Sequence, residues 1–221
     1  MNEQEALLFP LPDVVWFPHT MLPLYVFEPR YRALVADALR KKMPVAVVKY
    51  KPGWETQDTR RPDVCFTATF GAISQHEKFS DGRYHILLKG EHRCRILEDT
   101  LSPRGYRRAW IEVEDFFDDL SERQEEKFRR MLIARMQRYV TEDMMSLAQD
   151  MAYLRVRDLE TMLCLIAQHL KLDPEYKQNL LELEGVSDLY YEVLGMYNSL
   201  LRPLNMPKLI KPFEFVYDAQ N

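Results

Sequence analysis

Five prolines, Pro10, Pro12, Pro18, Pro23 and Pro29, punctuate three short apolar runs between Leu8 and Leu39. Proline has no amide proton and a fixed φ, which confines it to strand ends, sheet edges, turns and the start of helices. The stretch is therefore restricted to two or three short, kinked strands feeding a helix. Pro29 suits the first helical position, where a missing N–H costs nothing. Beyond it Tyr31, Leu34, Val35, Ala38 and Leu39 recur at helical spacing and predict one apolar face.

The pattern after this helix is that of a sheet. Met43-Pro44 stops the helix, and Val45–Val48 reads as a short buried strand. Lys49–Asp63 is polar, with Pro52, Gly53 and Pro62, and reads as a surface loop. Trp54 within it is either folded back onto the body or exposed as a contact residue. Val64, Phe66, Ala68 and Phe70 alternate with Thr67 and Thr69, predicting a half-buried strand with the first four inward. Ser80-Asp81-Gly82-Arg83 marks a hairpin turn between Phe79 and a Tyr84–Leu88 strand. Gly90 is read as a further turn, after which Arg93 and Arg95 alternate with Cys94 and Ile96 and should point away from them. Trp110–Val113 closes the set. Six short strands, one helix and this many turns fit a closed or nearly closed barrel better than a parallel sheet.

At Ser121 the period changes from two to 3.6. Ser121 and Gln124 have the spacing of a capping box. Phe128, Met131, Leu132, Arg135 and Tyr139 then share a helical face. A short helix is expected around Met145–Leu154, and another over Leu159–Leu170 with Leu159, Met162, Leu163, Ile166 and Leu170 inward. Asp173-Pro174 has the form of an N-cap and first residue, Gly185 of a helix end, and Ser187 of the next cap. Tyr190, Val193, Leu194, Tyr197 and Leu201 form the last stripe, which Pro203 stops. Phe213-Glu214-Phe215-Val216-Tyr217, near the C-terminus, is an apolar run expected to dock on the body as an extended strand or clamp.

Three segments carry a resemblance. The first combines Phe9-Pro10-Leu11-Pro12, Phe17-Pro18, Leu22-Pro23-Leu24 and Phe27-Glu28-Pro29-Arg30-Tyr31-Arg32; the second is Gly71–Ile96 with its Asp-Gly-Arg turn; the third is Lys177-Gln178-Asn179-Leu180-Leu181-Glu182. Together they resemble the N-terminal, substrate-binding domain of Lon proteases over roughly residues 8–202. Cys94 stands where that family usually carries an aromatic residue, which implies a thinner core at that layer. The resemblance implies a PUA-like β pseudobarrel followed by a helical bundle. It further implies a stand-alone relative of the recruiting domain, without ATPase or protease, whose partners are unfolded or extended protein segments or one dedicated protein. Its working surface would be the groove between barrel and bundle, and self-association into a homodimer is compatible with it.

Composition narrows the chemistry. The seven glycines lie at least eight residues apart, which excludes phosphate-cradling loops of the P-loop and dinucleotide types. His85, His92 and Cys94 fall on neighbouring predicted strands, but three such residues without a tight ligand pair are ordinary sheet polar groups. No metal, cofactor or catalytic residue is assigned, and Cys164 reads as core. The acids Glu112, Glu114, Asp115, Asp118 and Asp119 read as a solvated run. Arg104, Tyr106, Arg107 and Arg108, with Lys89, Arg93 and Arg95, form a basic cluster, and PUA-like folds elsewhere bind RNA. Against that alternative, residues 1–118 carry 17 basic and 17 acidic side chains, and 119–221 carry 13 and 17. No apolar run reaches a membrane span, the start lacks a secretory pattern, and three scattered cysteines argue for the cytoplasm.

The expected architecture is α+β: a PUA-like barrel over 1–118, a helical bundle over 119–202 and a docking tail over 203–221. Trp54, Phe79 and Tyr106 are the candidate peptide contacts. Arg93, Arg95, Arg104, Arg107 and Arg108 are the nucleic-acid alternative.

Overall fold

The computed structural model describes residues 3–57, 61–139 and 156–200. The strands are β1 (Glu3–Leu11), β2 (Met21–Val26), β3 (Val45–Lys49), β4 (Thr67–Lys78), β5 (Tyr84–Leu101) and β6 (Arg107–Val113). The described helices are α1 (Pro29–Lys41), α2 (Glu122–Tyr139), α3 (Leu159–His169), α4 (Pro174–Leu181) and α5 (Val186–Leu200). The helix expected around Met145–Leu154 and the tail expected over 203–221 lie outside the described residues.

β1 runs parallel to β3 and antiparallel to β6, β3 pairs with β4, and β4 with β5. The second half of β5 pairs with β6, which closes a ring of five strands. β2 hangs from the first half of β5 alone, as an edge strand. Pro29 is the first residue of α1, as its position before the helical stripe requires.

Neighbouring residues of β1 are buried in opposite directions. Leu7 and Phe9 join Tyr31, Leu34 and Val35 under α1, while Ala6 and Leu8 enter the barrel with Ala46, Val48, Ala68, Cys94, Ala109 and Ile111. A strand covered on both faces reads as a continuous apolar run, which is why β1 and β3 show no alternation. The barrel interior is filled largely by small residues, as a narrow barrel demands. Cys94 is fully buried within it.

Several local expectations are corrected. Phe66 precedes β4 and is 63% exposed, with the Lys51 ammonium over its ring, whereas Thr69 is buried and donates to the Trp16 carbonyl. Gly90 lies inside β5 and is no turn: its missing side chain admits the Phe17 carbonyl and the Trp16 ring. On α2 the buried stripe is Phe128, Leu132 and Met136, and Met131 is exposed. α4 ends at Leu181, and Gly185 instead bridges to Phe117 beside Asp119. The carboxylate of Asp119 accepts the Ser187 N–H (3.0 Å), so α5 is capped from the connection between β6 and α2. Gln124 reaches back to the Ser121 N–H (3.1 Å) as expected, but the Ser121 hydroxyl donates to the same amide oxygen.

The junction of barrel and bundle, expected as a groove, is packed. Val15, Phe17 and Phe116 belong to the apolar core formed by α2 to α5. The Phe17 N–H donates to Gln168 (3.0 Å), and Gln178 donates to the Thr67 carbonyl (3.1 Å). His19 meets Glu160 at 3.1 Å, and Lys49, 3% exposed, pairs with Glu175.

Candidate functional site

The free edge formed by β2 is aromatic. Along β2, Leu22 and Val26 are buried while Met21, Pro23 and Tyr25 are exposed. Pro23 stands opposite Leu87 of β5, so the middle of this edge offers no N–H to a further strand. Side chains therefore dominate what the edge can bind. Tyr25 faces His85 across the pair, with ring centroids 4.9 Å apart and planes at 66°. Phe79, half-buried at the β4–β5 turn, meets the same imidazole edge-on at 4.9 Å and lies 6.4 Å from Tyr25. Phe27 adds a fourth ring 6.2 Å from Tyr25, and the Arg83 guanidinium lies 5.3 Å from the Tyr25 ring. Met21, Tyr25 and Phe27 are 44%, 41% and 46% exposed, a concentration of apolar surface that folding leaves uncovered.

The surroundings hold this face in place. Gly82 at φ +85° turns the hairpin, and a side chain there would collide with the Arg32 guanidinium of α1. Asp81 accepts from the Arg83 N–H (3.0 Å) and from its Nε (2.5 Å), and the backbone bond foremost lowers the Asp81 pKa. The hairpin tip thus lies against the Arg32 side chain of α1, and Arg83 is aimed at Tyr25.

Of the three aromatic residues singled out in the sequence, only Phe79 reaches this face. Trp54 stacks on Tyr50 at 4.6 Å and 16°, folded back onto the barrel. Tyr106 is 4% exposed and donates its hydroxyl to Asp37 (2.6 Å), so it presents no contact surface. Sequence reasoning missed Tyr25 and Phe27. The signal was available: Pro23 demotes its run to an edge, and alternation around it turns Met21 and Tyr25 outward.

The five arginines form no open basic face. Arg93 is buried, and its guanidinium donates to the carbonyls of Glu114 (2.6 Å), Leu181 (2.9 Å), Asp115 (3.1 Å) and Leu183. It links the barrel to the bundle. Arg107, also buried, donates to the Pro62 carbonyl (2.5 Å) and lies 3.5 Å from Asp99. Arg95 pairs with Glu112 and Glu114, Arg104 with Asp37 and Arg108 with Glu5. Each cation already has a carboxylate or carbonyl partner, which a phosphate would have to displace.

His85, His92 and Cys94 all lie on β5 rather than on neighbouring strands. His92 bonds Asp115 (2.9 Å), and burial pushes the Cys94 thiol up to about 12. Among the described residues, no group of three or more histidine, cysteine or acidic side chains is placed to hold a metal. An open cleft of about 770 Å³ lies where the end of α1 meets the barrel mouth; Leu39, Met43 and Ile73 contribute apolar lining, with Glu3, Glu91 and Asp115 among its charged residues.

Residues 5–199 match the family model described as the ATP-dependent protease La (LON) substrate-binding domain. The chain belongs to the Lon substrate-binding domain family. It is 24% identical over 219 residues to the Lon protease of Haemophilus influenzae, covering 95% of this chain and 26% of that protein. With the Lon protease of Azospirillum brasilense the identity is 26%, over 91% of this chain and 25% of the relative. The chain thus spans about a quarter of the length of these Lon proteases. The fold is shared with a Lon N-terminal domain protein from Xanthomonas campestris (TM-score 0.62, 21% identity, 87% of this chain and 98% of that one). It is shared also with the N-terminal domain of Mycobacterium avium complex Lon protease (TM-score 0.65, 16% identity, 90% and 100%). The family description is that of a substrate-binding domain.

Proposed function

We propose that this chain is a non-enzymatic protein-binding module that captures extended, apolar segments of client proteins on the aromatic face beside β2. The exposed cluster of Tyr25, Phe27, Phe79 and His85 on an edge strand carries this reading. Rings of this kind supply large, rigid contact area, and aromatic anchors dominate binding energy at protein interfaces.

The division into a barrel over 1–118 and a bundle over 119–202 follows the change from strands to helices between β6 and α2. The two parts share a core, so they act as one body. Three free, buried cysteines support action in a reducing compartment, the cytoplasm. No helix among the described residues is long and apolar enough to cross a membrane.

Fluorescence anisotropy of a labelled, permanently unfolded protein, run beside labelled single-stranded RNA at two salt concentrations, tests the reading. The double variant Tyr25→Ala/Phe27→Ala should weaken client binding about tenfold or more, since both positions are exposed and the fold is spared. Unchanged affinity would remove this face from the site. Salt-sensitive binding of the RNA alone would transfer the assignment to nucleic acid. Pairing of two copies through the same face, as a homodimer, would appear as a concentration-dependent mass.

A further inference from the structure

A second apolar surface lies on the bundle. Leu170 and Leu172, which follow α3, Tyr176 of α4, and Gly195 and Met196 of α5 line a groove of about 430 Å³, with Glu192 beside them. Leu170, Leu172 and Met196 are only partly buried against the bundle core. The Tyr176 hydroxyl donates to Glu192 (2.9 Å), which fixes one wall. Gly195 is the unusual member. It sits inside α5, where glycine is the poorest helix former after proline, yet a Cβ there would meet nothing within 4 Å. No described neighbour requires the missing side chain. Its absence lowers the groove floor, and Tyr191, one turn earlier, stands 59% exposed.

The chain itself supplies a fitting occupant. Ser199 also lines the groove, so the sequence leaves α5 beside it, with 21 residues still to follow. Pro203, Pro207 and Pro212 oppose continuation of the helix and favour extended backbone. In an extended chain Phe213, Phe215 and Tyr217 share one face. Twelve residues lie between Leu200 and Phe213, and the thirteen Cα-to-Cα steps can span about 43 Å, roughly twice the length of a 15-residue helix. The run can therefore fold back along α5. Lys208 and Lys211 lie just before it in sequence and complement Glu192.

We propose that this groove is the docking site of the chain's own C-terminal segment, Phe213–Tyr217, with an aromatic ring seated over Gly195. The segment completes the bundle in cis as an extended strap. The proposal is independent of the client-binding face beside β2.

Two measurements on the 221-residue chain test it. In the first, Met196→Cys and Phe215→Cys are combined and treated with a short bismaleimide; the native cysteines are buried and serve as the unmodified background. An intramolecular cross-link in most molecules is expected. No cross-link, or only links between molecules, overturns the proposal, and the latter assigns the groove to a second copy. In the second, Gly195→Trp fills the groove at a position open to solvent. Amide exchange over 213–217, read by mass spectrometry, should accelerate at least tenfold while α3, α4 and the first half of α5 keep their protection. Exchange over 213–217 equal to that of the parent chain overturns the proposal.

Discussion

Asp37 shows how one side chain can organise a region that sequence periodicity treats as a helix surface. It is 2% exposed and accepts from the Tyr106 hydroxyl (2.6 Å), from Arg40 (2.7 Å) and from Arg104 (2.7 Å). These donors, Tyr106 foremost, hold its carboxyl at about 2. Because the folded pKa is depressed, the stabilisation is complete above the ordinary carboxylate value and is lost as pH falls toward about 2. Tyr106→Phe removes one donor and should destabilise the chain by about 1–2 kcal/mol in urea unfolding at pH 7. Client binding at the β2 face should be unchanged, since Tyr106 is buried elsewhere. A loss of client affinity without loss of stability would restore Tyr106 as a contact residue.

At the scale of elements, glycine and proline were read with unequal success, for a physical reason. Pro29 opens α1 and Gly82 turns the hairpin because each demand is local: a fixed φ at a helix start, a positive φ at a tight turn. Gly90 and Gly185 answer to distant groups. At Gly90 an added Cβ would lie 2.9 Å from the Phe17 carbonyl oxygen and 3.2 Å from the Trp16 ring, contacts made across more than seventy residues of chain. Nothing in a local window reports them, so an 18-residue strand was divided into two. Gly90→Ala should therefore cost about 1–3 kcal/mol by overpacking, read as a lowered midpoint in thermal unfolding. A cost near zero would mean that the 15–20 segment moves aside freely. The aromatic face was half legible on the same logic. Phe79 sits beside a local turn signal, whereas Tyr25 joins it through a register between β2 and β5 that only the folded sheet defines.

At the scale of the whole molecule, one polar pair joins barrel to bundle and another joins two helices of the bundle, and the two titrate in opposite senses. His19, at the β1–β2 connection, is bonded to Glu160 of α3, and that bond foremost raises its pKa against the opposing effect of burial, with Asp158 and Asp115 adding to the rise. Its contribution is present below the unfolded histidine value and is lost as pH climbs through the raised one. Lys177 of α4 donates to the Gln168 carbonyl (2.6 Å), and burial lowers its pKa to about 8. Above that pH the folded chain sheds the proton while the unfolded chain keeps it, so stability recovers. Urea unfolding should show a shallow minimum near pH 8, with a fall of less than about 1 kcal/mol from pH 6 because the His19 pair is partly open to water. Glu160→Gln should abolish the fall below pH 8, and Lys177→Met should flatten the rise above it. A monotonic profile in the parent chain would mean that His19 and Lys177 are bystanders, leaving the junction to apolar packing and to the bonds of Arg93, Gln168 and Gln178.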